Sequence, residues 1–300
     1  MKLKGIYAEK SAFTQLTVLL LFILAGALFS SLAGTGLVYL IHGSDLPIME
    51  DPNAMRLYQL VTATGTFLLP ALATGWLCSH SLADYLFLKL PSDPKVWILT
   101  LASMFFFSPF TTLTGLWNKE IRLPHFMAPV EKWIQEQELL AEQPTEVLLN
   151  DISLVGLFSN IVVIAVLAAI TEEFLFRGTL QRILGKWFKN YQTVIWITAI
   201  IFSAFHLQFY GFIPRLLLGA YFGYLFFWGK SIWLPVFAHF TNNTFAVIAI
   251  SNSTLKENEY INGEIPADGI FVYTLWAGAM LILFFLCVKK LRAYLGAATN

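Results

Sequence analysis

The chain is poor in charge. Only 13% of its 300 residues are Asp, Glu, Lys or Arg, about half the share of a soluble domain, while 57% are hydrophobic. That balance excludes an ordinary soluble domain and defines a membrane protein. An excess of either sign is also missing, with 19 basic and 19 acidic residues, so no basic face is on offer and no nucleic-acid partner is expected. Cysteine is scarce. Cys78 and Cys287 form no CxxC pair and fall near predicted inner ends of membrane spans, where a disulfide is disfavoured; they read as small apolar residues. No internal repeat or low-complexity tract divides the chain, so residues 1–300 are expected to form one integral-membrane domain.

Uncharged stretches are plentiful. A helix needs about 20 residues to cross a hydrocarbon core of roughly 30 Å. Stretches of about that length occur at 13–41, 57–79, 96–117, 152–176, 192–208, 211–229, 231–251 and 269–288. The fold class that follows is all-α: a polytopic bundle of eight transmembrane helices. The first apolar run is longer than the core of a signal peptide and is expected to remain as a helix. With the N-terminus inside, thirteen of the nineteen lysines and arginines fall in inner segments, among them Lys2, Lys10, Arg182, Lys189 and Lys230. Both termini are therefore expected in the cytoplasm and the protein in a plasma or inner membrane. The one sizeable extramembrane segment, 118–151, contains WIQEQELLAEQPTEVLL, which predicts an amphipathic helix broken at Pro144.

Charge inside the spans is confined to one place. Seventeen of the nineteen acids fall in loops or termini, and the other two, Glu172 and Glu173, stand side by side in TEEFLFRG after nineteen uncharged residues, 152–170. A charged residue at the centre of a spanning helix costs roughly 2.5–3.5 kcal/mol on insertion scales, which makes it a functional candidate. Glu173 and Arg177 are four apart, on one helix face, with the acid first, and can pair. Glu172 points about 100° away and is the freer acid or base. The plainer reading makes all three residues anchors at the inner interface.

Two later spans carry polar groups at the same spacing. His206 follows Phe202 by four in FSAFH, and Asn243 follows His239 by four in HFTNN. Each alone suits hydrogen bonding between helices. Together, a carboxylate, two histidines and an asparagine on three spans match what amide or ester hydrolysis requires: groups that take a proton from water and donors for a developing oxyanion.

These motifs, EExxxR at 172–177, FxxxH at 202–206 and HxxxN at 239–243, resemble those of the CPBP intramembrane proteases, which include the CAAX prenyl endopeptidases and bacterial Abi proteins. The resemblance covers about 145–250, with Gly178, Gly219, Gly223 and SIWLPVFAH also matching. It implies an eight-helix endopeptidase with its catalytic core at 145–250. Glu172 would be the general base, His206 would position the water, and His239 and Asn243 would form the oxyanion site. Glu173 and Arg177 would orient the others, and Phe202 would line the wall beside His206. A membrane-associated or lipidated peptide would be the substrate, and membrane lipids the surrounding partners.

Metal-free water activation is the favoured reading of the cofactor, with a divalent metal such as zinc as the alternative. Glu172, His206 and His239 are suitable zinc ligands, yet no HExxH pair occurs, and a metal-free mechanism uses the same residues. Two other functions compete, a membrane adaptor or immunity factor built on the same fold, and a proton-coupled transporter with a Glu/His relay. Depth raises a difficulty. A fourth span entering at Ser153 puts Glu172 roughly 29 Å down, while His206 rises only roughly 18 Å from Val194. The two meet only if the fourth helix is shifted inward, with Asn160 near the outer boundary and Arg177 inside the bundle.

Overall fold

Caps and prolines set where the helices start. In a computed structural model of the chain, which describes residues 3–43 and 48–297, Ser11 accepts a hydrogen bond from the Thr14 amide at the start of helix α1 (Ala12–His42). Asp51 does the same for Ala54 at α2 (Pro52–Cys78), and Asp93 for Lys95 at α3 (Pro94–Lys119), each followed by a proline that has no amide to leave unpaired. Lys2 lies outside the described residues.

The remaining long helices are α4 (Ala128–Leu149), α5 (Leu154–Trp187), α6 (Tyr191–Ala204), α7 (Phe212–Gly229), α8 (Trp233–Ser251) and α9 (Ile270–Ala297). No strand occurs among the described residues. All helices but α4 coincide with the eight predicted stretches. Six of them, α1, α2, α3, α5, α7 and α9, are long and apolar enough to cross a membrane.

Two expectations need correcting. Pro144 does not break α4, which runs unbroken to Leu149. The carbonyl that a proline deprives of its partner belongs to the residue four earlier, here Leu140, which is exposed at the surface where the loss is tolerable. The fourth span does not end near 176 but continues to Trp187, 34 residues in all. Glu172 is therefore 15 residues from the end of α5, and His206 15 residues from the start of α6, about 22 Å in each case at ~1.5 Å per residue. The depths agree because the helix carrying Glu172 is longer than its uncharged part.

Close packing surrounds α5. It meets α1, α2, α6, α7 and α8, while α9 runs along α3. Where α1 crosses α2 the backbones touch, since a Cβ on Gly26 would overlap the Gly65 carbonyl oxygen. One apolar cluster unites Leu19, Phe176, Ile183 and Phe226; a second joins Met104, Tyr221 and the stacked pair Phe107 and Phe284, 4.4 Å between centroids. The leucines on the outer face of α1 and the phenylalanines of α9 stay exposed, as a lipid-facing surface requires.

Cations gather at one end of the bundle. Lys186 Nζ donates to the Ala8 carbonyl at 3.2 Å, Arg182 Nη1 to Asp84 at 3.1 Å, and Lys95 lies over the Tyr294 ring at 5.3 Å. At the opposite end Arg56 ties α2 to α5. Its Nε donates to Asn160 Oδ1 at 3.0 Å and its Nη2 to Asp151 Oδ2 at 2.9 Å, while Asn160 Nδ2 donates to the Leu148 carbonyl at 2.7 Å.

The Ser153 hydroxyl and Arg56 hold the Asp151 carboxyl below the usual aspartate range. A depressed value means that its contribution is complete above that range and is lost as pH falls through it. Asp151→Asn is expected to lower thermal stability in detergent near pH 7, and the gap from the unaltered protein to close as the pH falls toward 3; a gap independent of pH would remove Asp151 from the clamp.

Candidate active site

The glutamates of the EExxxR motif sit between two widened turns of α5, and its arginine lies within the second. Residues Ile161–Leu167 and Phe176–Leu180 are π-helical, and the ordinary helix between them, Ala168–Leu175, carries both glutamates. Such turns release carbonyls from the helix ladder, and side chains take them up. Asn243 Nδ2 donates to the Ile164 carbonyl at 2.9 Å, and Thr179 Oγ1 to the Phe174 carbonyl at 3.1 Å. Asn243 thus ties α8 to the first widened turn, one helical turn beyond His239.

Arg177 and Glu173 form the buried centre, both side chains 0% exposed. Arg177 Nη1 reaches Glu173 Oε1 at 2.7 Å, and its Nη2 donates to the Gly219 carbonyl on α7 at 2.8 Å. The guanidinium lies 4.4 Å from the Phe202 ring centroid and 5.5 Å from that of Phe222. Gly219 is required by space. A Cβ there would stand 3.0 Å from Phe202 Cδ1 and 3.3 Å from Arg177 Nη2. One turn on, Gln181 Nε2 donates to the Gly223 carbonyl at 3.2 Å. Two polar residues four apart on α5 therefore read two glycine carbonyls four apart on α7.

Glu173 also orients the first histidine. Its Oε1 lies 2.9 Å from His239 Nδ1, and because a carboxylate only accepts, Nδ1 carries the hydrogen. His206 is fixed in the same sense, with Nδ1 2.9 Å from the Phe202 carbonyl. Both rings therefore turn Nε2 toward Glu172, whose Oε2 is 3.9 Å from His239 Nε2 and 4.0 Å from His206 Nε2. That oxygen makes no hydrogen bond within the protein. Phe202 packs edge-on against both imidazoles, and Phe222 stacks on His239 at 5.2 Å. Glu172 and His206 are the accessible members, with side chains 16% and 30% exposed.

The turn carrying His206 is held from outside. Leu207 adopts φ 55°, a left-handed conformation that costs a non-glycine residue of order 1–3 kcal/mol. Asn118 at the end of α3 bridges the turn, donating to the Phe209 carbonyl at 2.9 Å and accepting from the Ile213 amide at 2.7 Å. Ser203 Oγ donates to the Phe212 carbonyl at 2.7 Å, and Glu138 of α4 accepts from the Tyr210 amide at 3.3 Å. Arg215, bonded to Gln208 Oε1 at 2.9 Å, lies within electrostatic range of both Glu172 and Glu138.

Glu172, His206 and His239 thus converge, with Glu173, Arg177 and Phe202 beneath them, while Asn243 lies one turn of α8 further along, bonded to the Ile164 carbonyl. Sequence reasoning missed Asn118, Leu207 and Gln181. The shared spacing of Arg177 with Gln181 and of Gly219 with Gly223 is a signal for the last; nothing local marks the other two.

Residues 154–245, from the start of α5 into α8, match the family model described as type II CAAX prenyl endopeptidase Rce1-like. Over that segment, about a third of the chain, the protein is similar to this family. No curated protein and no solved structure matches the chain. The matched segment contains all three motifs, within a chain that carries six helices long and apolar enough to cross a membrane.

Metal is sometimes the agent in such donor sets, and two imidazole Nε2 atoms with a carboxylate are suitable in kind. The spacing does not suit. Ligands bound at 2.0–2.1 Å around a tetrahedral ion stand about 3.3 Å apart, less than the 3.9 and 4.0 Å separations here. Among the described residues no group of three or more His, Cys, Asp or Glu closes to a metal site.

Removing one partner of the buried pair should be costly. Arg177→Ala is expected to destabilise the protein by about 3–5 kcal/mol, because Glu173 is left as an unpaired buried charge. Glu173→Gln combined with Arg177→Met should recover part of that loss in thermal unfolding in detergent. A double variant no more stable than Arg177→Ala would locate the loss elsewhere.

Proposed function

We propose that the chain is an intramembrane endopeptidase that hydrolyses a peptide bond in a membrane-associated or lipidated peptide, using water activated by Glu172. The supporting observation is the convergence of Glu172 Oε2 with two imidazole Nε2 atoms at 3.9 and 4.0 Å, each imidazole held by a bond at its other nitrogen. Separations near 4 Å leave one water room for hydrogen bonds of ~2.8 Å to the carboxylate and to an imidazole.

The tautomer set by the Phe202 carbonyl gives His206 a bare Nε2, an acceptor. A water donating one hydrogen to Glu172 and the other to His206 turns an oxygen lone pair toward a substrate carbonyl carbon. As the carbon–oxygen bond forms, Glu172 takes the water proton and the carbonyl oxygen becomes an oxyanion. Asn243 has one amide hydrogen on the Ile164 carbonyl and the second free to donate to that oxyanion, with His239 held beside the site by its Nδ1 bond to Glu173. The carbon–nitrogen bond then breaks as Glu172 returns the proton to the leaving nitrogen. No step requires a metal.

Substrate class follows from depth. The site lies about 22 Å from the basic end of the bundle, the end read here as cytoplasmic. A peptide carrying an apolar segment or a lipid reaches such a depth more readily than a hydrophilic one.

Cleavage of a membrane-peptide library by purified protein in detergent tests the reading. Glu172→Gln should lower turnover at least ~100-fold and His206→Ala by a similar factor, with thermal stability of Glu172→Gln unchanged because Glu172 makes no bond to Arg177. Activity should survive a chelator. Turnover intact in Glu172→Gln would sink the mechanism, and loss under chelator restored by zinc would transfer water activation to a metal.

A further inference from the structure

A cavity lined partly by cations lies at the basic end, away from the active site. It occupies about 360 Å³ between the C-terminal ends of α5 and α7 and the start of α6. Arg182, Lys189 and Lys230 line it, over a floor that includes Val194, Ile195 and Phe226, all buried. The three cations make no ion pair among the described residues.

Arg182 is immobilised rather than free to extend into water. Its guanidinium lies over the Phe87 ring at 4.4 Å and the Tyr85 ring at 4.9 Å, and Nη1 donates to the Asp84 backbone carbonyl at 3.1 Å. The Asp84 carboxylate itself makes no ion pair among the described residues. Lys230 is fixed at its backbone, in the left-handed conformation that ends α7, with its amide bonded to the Phe226 carbonyl. Lys189 directly precedes Asn190, whose side chain caps α6.

The surrounding aromatics fix the level of the cavity. Tyr191 and Phe227, which also line it, stack at 4.3 Å with an interplanar angle of 3°, and Trp187 stacks on Phe188 at 6.1 Å beside them; all four are partly exposed. Aromatic rings with lysines and arginines at the ends of apolar helices mark the headgroup level of a bilayer. Three unneutralised cations at that level, opening onto an apolar floor, match a ligand with a phosphate above and hydrocarbon below.

We propose that this cavity binds the phosphate-bearing headgroup of an anionic membrane lipid, with Arg182, Lys189 and Lys230 around the phosphate. The ligand chemistry is a phosphodiester attached to acyl chains. The site is independent of the proteolytic reading.

Native mass spectrometry of the detergent-solubilised protein, exchanged into phosphatidylglycerol or phosphatidylcholine, tests the assignment. One phosphatidylglycerol per chain should be retained in preference to phosphatidylcholine. Lys189→Gln with Lys230→Gln should weaken that retention about 30-fold, roughly a factor of five for each lysine. Lys289→Gln with Lys290→Gln, cations at the same end that do not line the cavity, should leave it unchanged. Glycerol phosphate in excess should fail to displace the lipid, since it lacks the acyl chains. Equal retention of both lipids, or of phosphatidylglycerol by both double variants, would overturn the site. Displacement by glycerol phosphate would overturn the lipid assignment in favour of a soluble phosphate ligand.

Discussion

A salt bridge with no exposed surface needs polar partners beyond itself, and the pair of Arg177 and Glu173 imposes that need on the centre of this bundle, even though Arg177 Nε and Glu173 Oε2 make no hydrogen bond there. An unpaired charge in such surroundings costs several kcal/mol, so the guanidinium and the carboxylate each recruit further partners. Arg177 takes the Gly219 carbonyl and the faces of Phe202 and Phe222; Glu173 takes His239. Each recruit fixes another helix. Gly219 brings α7 within reach of α5, Phe202 orders the turn of α6 before His206, and His239 sets the rotation of α8. The same pair leaves the neighbouring Glu172 unbonded, because a helix turns adjacent residues to different faces.

The widened turns of α5 belong to the same arrangement. A regular helix from Leu154 to Trp187 keeps its carbonyls within its own ladder, whereas the π-helical turns on either side of the glutamates release some of them. Asn243 uses one at Ile164, so α8 is attached to α5 at two heights, through His239 to Glu173 and through Asn243 to the backbone. Two attachments fix both translation and rotation of α8, which one hydrogen bond cannot do.

Much of this was legible in the chain because the signals are local or periodic. Uncharged runs locate the helices, the spacing of Glu173 and Arg177 anticipates their pair, and the angle between adjacent residues marks Glu172 as the freer acid. Other features depend on contacts with distant segments. Asn118 reads as the first residue of a loop, yet it bridges the turn after His206 from 91 and 95 positions away. The left-handed Leu207 has no residue-type signal, since leucine is held there by its surroundings and not by preference. Hydropathy ended the fourth span too early because it treats Arg177 and Arg182 as water-seeking, although one is wholly buried and the other lies over two aromatic rings.

The division of labour among the helices follows from the cost of polar groups in hydrocarbon. Of the eight helices at the predicted span positions, α6 and α8 are the two outside the set apolar and long enough to cross a membrane unaided, and they lead to His206 and carry His239. Neither stands alone: α6 packs along α7, and α8 along α5. Long apolar helices such as α1 and α9 hold the bundle in lipid, and the shorter or more polar ones are shielded by neighbours. Polar groups can then face one another inside the bundle, held there by the packing of α6 on α7 and of α8 on α5.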